Sequence, residues 1–225
     1  MIRTQPDLFA FLHDWHAPWL PAARPAAAPN LALPAPLAEL QAEFAPLIAL
    51  RPSPDNGHRA PFATQDRLLR PADLVVADGQ LTFATDHQGN WSARCATTGD
   101  DPSVWSDAAQ AWDDDAPGFT LACPSLSHFL TTLCLQEACL SAPHLLVCHG
   151  ASPHEVLTVP AQPLWLNGQL VQGPDSHHFH RVPGCDPART DLLVMHTQEM
   201  CWVAAHTTQA LALIQPGVSR QIIRP

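Results

Sequence analysis

Six prolines (Pro18, Pro21, Pro25, Pro29, Pro34 and Pro36) fall between positions 18 and 36 of this chain. Each fixes φ and lacks a backbone N–H, so neither a regular helix nor a central strand can run through them. The segment is expected to be an extended connector, with Trp19, Leu20, Leu31 and Leu33 as the side chains able to anchor it. It sets residues 1–32, a short helix followed by a Pro/Ala-rich extension, apart from a domain over residues 33–225. In the first part, residues 5–16 place Leu8, Phe11, Leu12 and Trp15 on one helical face.

Beyond the connector the periodicities change along the chain. Leu37, Leu40, Phe44, Leu47 and Ile48 line one face of an amphipathic helix, and Pro52, Pro54, Asn56 and Gly57 are turn signals after it. Leu74, Val75, Val76 and Gly79 suggest a turn into a strand over 81–84, which pairs with a second strand over 91–97. Gln88-Gly89-Asn90 suits the hairpin turn between them, because Gly and Asn accept positive φ at low cost. Ser125 caps a helix carrying Leu126, Phe129, Leu130 and Leu133. Strand-like runs follow at 145–148, at 164–171 around an Asn167-Gly168 turn, at 192–196 and at 201–205, with a short closing helix over 207–214. Helices and strands are segregated rather than alternating, which argues an α+β fold. At 225 residues, 46% of them hydrophobic, the chain has the material for a sizeable core.

Charge is distributed unevenly. The chain has no lysine, and residues 95–180 contain no arginine yet hold nine carboxylates. Six of these, Asp100, Asp101, Asp107, Asp113, Asp114 and Asp115, crowd around Trp105 and Trp112. A one-signed segment of this length attracts positively charged partners and repels phosphates, so nucleic acid and anionic membrane are poor ligands and a basic protein is a better one. The net charge of −10 treats thirteen histidines as neutral, and their protonation softens it as pH falls toward 6.

The seven cysteines have irregular spacing, with no zinc-knuckle or redox pair. Buried free thiols in a reducing compartment account for them. No apolar run reaches the ~18 to 20 residues that span a bilayer. The apolar patch at Leu8–Leu12 is too short, and too closely flanked by Asp7, His13 and Asp14, to read as a secretory signal. The expected location is the cytoplasm.

Catalytic patterns are sparse. His177, His178 and His180, with Cys185 further on, form the only dense group of metal-ligand types, but neighbouring residues of a strand point to opposite faces, and a polar strand edge or loop explains them as well. Cys148-His149 is a pair by adjacency alone, whereas a Cys–His dyad is assembled in space. The Asp113–Asp115 run lacks the alternating spacing and glycine of a calcium loop. No phosphate loop, G-x-S-x-G or H-E-x-x-H is present. Neither a cofactor nor a metal is implied, and the chain is expected not to be an enzyme. A metal-dependent hydrolase built on His177–His180 stands as an alternative.

One ordered set of short motifs runs through the chain. Leu33-Pro34 precedes the first amphipathic helix. Phe83, Asp86, His87, Gln88, Gly89 and Trp91 then form a strand end and turn, and Asp101, Pro102, Val104 and Trp105 a loop. Leu126, Ser127, Phe129 and Leu130 open a helix, and residues 202–214 read as a closing strand and short helix. This order resembles the SUKH superfamily, which includes the yeast Smi/Knr-type regulators and many bacterial immunity proteins. The position before the glutamine, asparagine in that family, is His87 here.

The resemblance implies a SUKH-like mixed sheet packed against a few helices. It also implies a non-catalytic immunity protein that neutralises a cognate toxin domain by binding it. Many toxin domains are nucleases with basic substrate grooves, which suits an acidic inhibitor. A scaffold or regulatory module for a resident cellular protein is the alternative on the same fold. Phe83, Trp91, Phe129 and Leu130 are expected in the core, with Gln88 and Asp101 as buried hydrogen-bonding groups. Binding is expected at Asp100, Asp101, Trp105, Asp107, Trp112, Asp113, Asp114 and Asp115, with the tryptophans as aromatic anchors.

Overall fold

A computed structural model describes residues 1–17, 32–54, 59–111, 113–170, 176–183, 190–197 and 200–224. Trp19, Leu20 and Leu31 of the expected connector, Asn56 and Gly57 of the expected turn, Trp112 and Cys185 all lie outside the described residues. The helices are α1 (Gln5–Trp15), α2 (Ala35–Ile48), α3 (Leu126–Leu140) and α4 (Pro153–Val156). The first six strands are β1 (Asp66–Leu68), β2 (Val75–Ala77), β3 (Gln80–Asp86), β4 (Ser92–Ala96), β5 (Val104–Ser106) and β6 (Thr120–Cys123). The other six are β7 (His144–His149), β8 (Gln162–Gly168), β9 (His177–Pro183), β10 (Thr190–His196), β11 (Met200–Ala205) and β12 (Gln221–Arg224). The fold is α+β, as the segregated periodicities imply. Its strands form two sheets, and every pairing between named strands is antiparallel.

Contacts group the chain into two units. One comprises Ala17–Glu137 with Gln169–Gly173, and the other Met1–His16, Ala138–Gly168 and Pro174–Pro225. The first unit holds the sheet β1-β3-β4-β5-β6, with β2 also paired to β3. Leu81, Cys95, Val104 and Cys123 are paired in sequence across this sheet and are fully buried. Phe83 meets Phe129 of α3 edge-on, ring centroids 5.7 Å apart, which fixes the helix over that face. The β3–β4 hairpin forms where Gln88-Gly89-Asn90 predicts it. Gly89 takes a φ of 80°, and the Asp86 carboxylate accepts the backbone N–H groups of Asn90 at 2.5 Å and Trp91 at 3.3 Å.

Helix α3 begins at the Ser125 cap, whose hydroxyl accepts the His128 N–H at 3.1 Å. One buried face was the expectation; instead the helix is buried all round from Phe129 to Leu140. Its polar members are therefore satisfied internally. Thr131 and Thr132 donate to the carbonyls of Ser127 and His128, and Gln136 and Glu137 bond to the segment entering β1. Helix α2 buries Leu37, Leu40, Phe44, Leu47 and Ile48, and its Phe44 packs on Phe62 at 5.8 Å.

The second unit holds the sheet β12-β7-β11-β10-β9-β8. Leu146, Cys148, Leu192, Val194, Cys201 and Val203 form a core on one face, closed by Val156, Leu157, Ala210 and Ile214. Leu145, Leu193 and Ala204, which alternate with them, are buried too, so β7, β10 and β11 read as continuous apolar runs, and Phe179 of β9 is buried on that second face. Helix α1 has a Thr4/Asp7 capping box and docks here. Its Trp15 donates to the Ala138 carbonyl at 2.9 Å, Asp14 accepts the Thr190 N–H at 3.2 Å, and Ile2 donates to Leu164 at 2.8 Å. The expected Asn167-Gly168 hairpin does not form. Asn167 takes a φ of 60°, but Gly168 ends β8 and pairs with His177, so the partner strand is β9. The histidine-bearing segment, read as an edge or loop, is therefore an internal strand between β8 and β10.

Candidate protein-binding surface

Strand β5 lies between the two acidic loops. Asp100 and Asp101 sit in the loop that enters it, and Asp107, Asp113, Asp114 and Asp115 in the loop that leaves it for β6. Antiparallel pairing aligns side chains across the sheet, so directly opposed residues share a face. Val75 pairs with Thr82, Thr82 with Arg94, Arg94 with Trp105, and Trp105 with Leu121. These five form one transverse row on the face opposite Phe83 and Cys95. Trp105 is 42% exposed and Leu121 36%, large values for apolar side chains in a paired sheet. The Arg94 guanidinium lies 3.5 Å from the centroid of the Phe119 ring, which holds the one cation of the row against an aromatic face.

The sequence-predicted carboxylates separate into two kinds. Asp101 was expected to be buried; it is exposed and still structural. Its carboxylate accepts from Ser125 Oγ at 2.6 Å, Ser127 N at 2.7 Å and Ser127 Oγ at 2.8 Å, joining the β4–β5 loop to the start of α3. The helix N-terminus supplies unpaired N–H groups and positive potential, so a carboxylate works there without burial. Asp107 is half-buried and accepts from Ser92 N at 2.6 Å and Ser92 Oγ at 3.1 Å, which pins β4 to the end of β5. Asp113 accepts the Asp115 N–H at 3.0 Å. Asp100, Asp114 and Asp115 are exposed, with no hydrogen bond or ion pair to their side chains among the described residues.

The remaining motif residues have structural roles. Phe83, Phe129 and Leu130 are buried as expected and Leu126 is buried beside them, whereas Trp91 is only half-buried. Gln88, expected to be buried, is exposed at the hairpin tip, where it accepts from the Asn90 side chain at 3.2 Å, while Asp86 anchors the turn.

The histidines are arranged differently from the sequence grouping. His178 and His180 share a face of β9 with His196, which pairs with His178, while His177 points the other way. Burial, and then the like charge of His178 and His196, hold His180 below the usual histidine range. His178 accepts the Asn167 N–H through Nδ1 at 3.3 Å. Among the described residues no group of three or more His, Cys, Asp or Glu is placed to hold a metal ion. Cys148 is buried and its thiol is pushed up by desolvation, the opposite of an activated nucleophile.

Two features lay beyond the sequence reading. The Arg94–Phe119 stack and the exposure of Leu121 depend on the β5–β6 register. The second is a buried carboxylate pair. Glu137 accepts the N–H groups of Thr64 at 2.5 Å and Asp66 at 2.9 Å, and the Asp66 carboxylate accepts from Gln136. Desolvation pushes Glu137 up to about 8 and Asp66 up to about 6. An acidic residue inside the apolar run Leu133–Leu140 was the available signal. Compared with protein-family models, with curated proteins and with solved structures, the chain matches none.

Proposed function

We propose that this chain is a non-catalytic protein-binding module of SUKH type, an immunity protein that neutralises a cognate toxin domain by covering its working surface. The observation that carries the reading is the pairing of unpartnered carboxylates (Asp100, Asp114 and Asp115) with an exposed tryptophan, Trp105, on the strand between their loops. Fixed negative charge steers a basic surface into register, and a desolvated aromatic supplies the short-range affinity. A basic nuclease domain is the toxin class that fits this charge, because the acidic loops would stand where its nucleic-acid phosphates bind.

The proposed site of action is the cytoplasm. The six described cysteines are all free and buried, which suits a reducing compartment. No described helix is long and apolar enough to cross a membrane. The test is co-expression. A toxin domain recovered in stoichiometric complex with this protein should arrest growth alone and be silenced by the full chain. A complex with a harmless resident protein would move the reading to a scaffold.

A further inference from the structure

Most residues of an antiparallel sheet that face solvent are polar, because an uncovered apolar row has nothing to gain from water. The outer row of the first sheet departs from this at both ends. Val75 is 56% exposed at one end, and Trp105 and Leu121 stand side by side at the other. Its middle is Thr82 and the Arg94 guanidinium stacked on Phe119. The rim is acidic at both ends of β5, and two of its carboxylates are immobilised. Asp101 is held by three bonds at the start of α3, and Asp107 by two bonds to Ser92. A rigid frame around an exposed aromatic keeps low the ordering entropy that docking must overcome.

We infer that the Trp105–Leu121 end of this outer sheet face is a protein-docking surface, and that its occupant is a basic protein domain. That domain would seat apolar side chains on Trp105 and Leu121 and set Arg or Lys against Asp100, Asp113, Asp114 and Asp115. Charge selects this occupant. A second copy of the chain would bring its own acidic loops onto these, and a phosphate-bearing ligand would meet the same repulsion. Arg94, held against Phe119, keeps its positive charge but is one cation against the several carboxylates of the rim, so the face stays net negative. The inference rests on the protein-binding reading above, but not on the partner's being a toxin.

The test uses the full chain and a displayed random-peptide library as the probe. Recovered peptides should be rich in Arg or Lys and carry an aromatic or aliphatic residue. Their affinity should fall about ten-fold or more for Trp105→Ala and measurably for Leu121→Ser, with both variants melting like the parent because both side chains are exposed. Peptides of acidic or neutral composition would overturn the inference. So would basic peptides that bind both variants as well as the parent, or no enrichment at all. Self-association of the parent that is lost in Trp105→Ala would assign the face to a second copy and overturn it too. Toxin silencing that survives Trp105→Ala would sink this surface alone. A Trp105-dependent basic ligand without any silencing would sink the toxin reading alone.

Discussion

The carboxylate of Glu137 accepts the backbone N–H of Asp66 at 2.9 Å, while the Asp66 carboxylate accepts from Gln136, the residue beside Glu137 on α3. Both acids are buried, and neither has an ion-pair partner among the described residues. Glu137 also takes the N–H groups of Thr64 and Gln65, so one side chain satisfies three successive donors of the segment entering β1. Those bonds favour the charged form, but desolvation opposes it more strongly, and Glu137 is pushed up to about 8.

Between the ordinary value of 4.5 and about 8, folded Glu137 holds a proton that the unfolded chain has released. Its contribution to stability is therefore fully present below about pH 4.5 and is lost as pH rises toward 8, by an amount on the order of a few kcal/mol. Asp66 adds the same sign between 3.8 and about 6. Urea unfolding at a series of pH values should show this loss in the parent and a flatter profile in Glu137→Gln. Parallel profiles would mean that Glu137 is ionised in the folded protein throughout.

His16 acts in the opposite sense. Burial, then the positive charge of His206 and His13, pushes it down to about 3 from an ordinary 6.5. Its stabilising contribution is present above pH 6.5 and is lost as pH falls toward 3, because the unfolded chain takes up a proton that the folded one refuses. The acid limb of the same unfolding series should be shallower in His16→Leu, whatever the absolute stability of that variant.

Asp100 and Asp101 are adjacent and both exposed, yet their substitutions should differ. Asp101→Ala removes three hydrogen bonds at the start of α3 and should cost about 1–2 kcal/mol. Asp100→Ala should change stability by less than about 0.5 kcal/mol. Thermal melts of the two variants decide this, and equal losses would refute the anchoring role of Asp101.

Neutralising Asp113, Asp114 and Asp115 together to Asn should leave the melting temperature nearly unchanged, since all three are exposed. It should slow association with a co-purified basic partner by about ten-fold at low salt and flatten the salt dependence of the on-rate. Unaltered kinetics would remove this loop from the interface.

Sequence alone was enough for the elements whose information is local. The Leu8–Trp15 and Leu37–Ile48 stripes, the Ser125 cap, the turn around Gly89 and the apolar runs of β7, β10 and β11 all lie where periodicity and turn chemistry put them, because those signals act within a few residues. The one-signed segment from 95 to 180 was equally legible, since charge is additive along a chain. Pairing was not legible. Whether Asn167-Gly168 closes a hairpin, whether His177–Pro183 is an edge or an interior strand, and whether Trp105 stands beside Leu121 or behind it all depend on register between distant segments. A shift of one residue reverses the face of every side chain in a strand. Tertiary structure also divided the aspartates. Asp101 and Asp107 became structural because α3 and Ser92 present N–H and O–H groups to them, while Asp100, Asp114 and Asp115, identical in sequence chemistry, were left facing solvent.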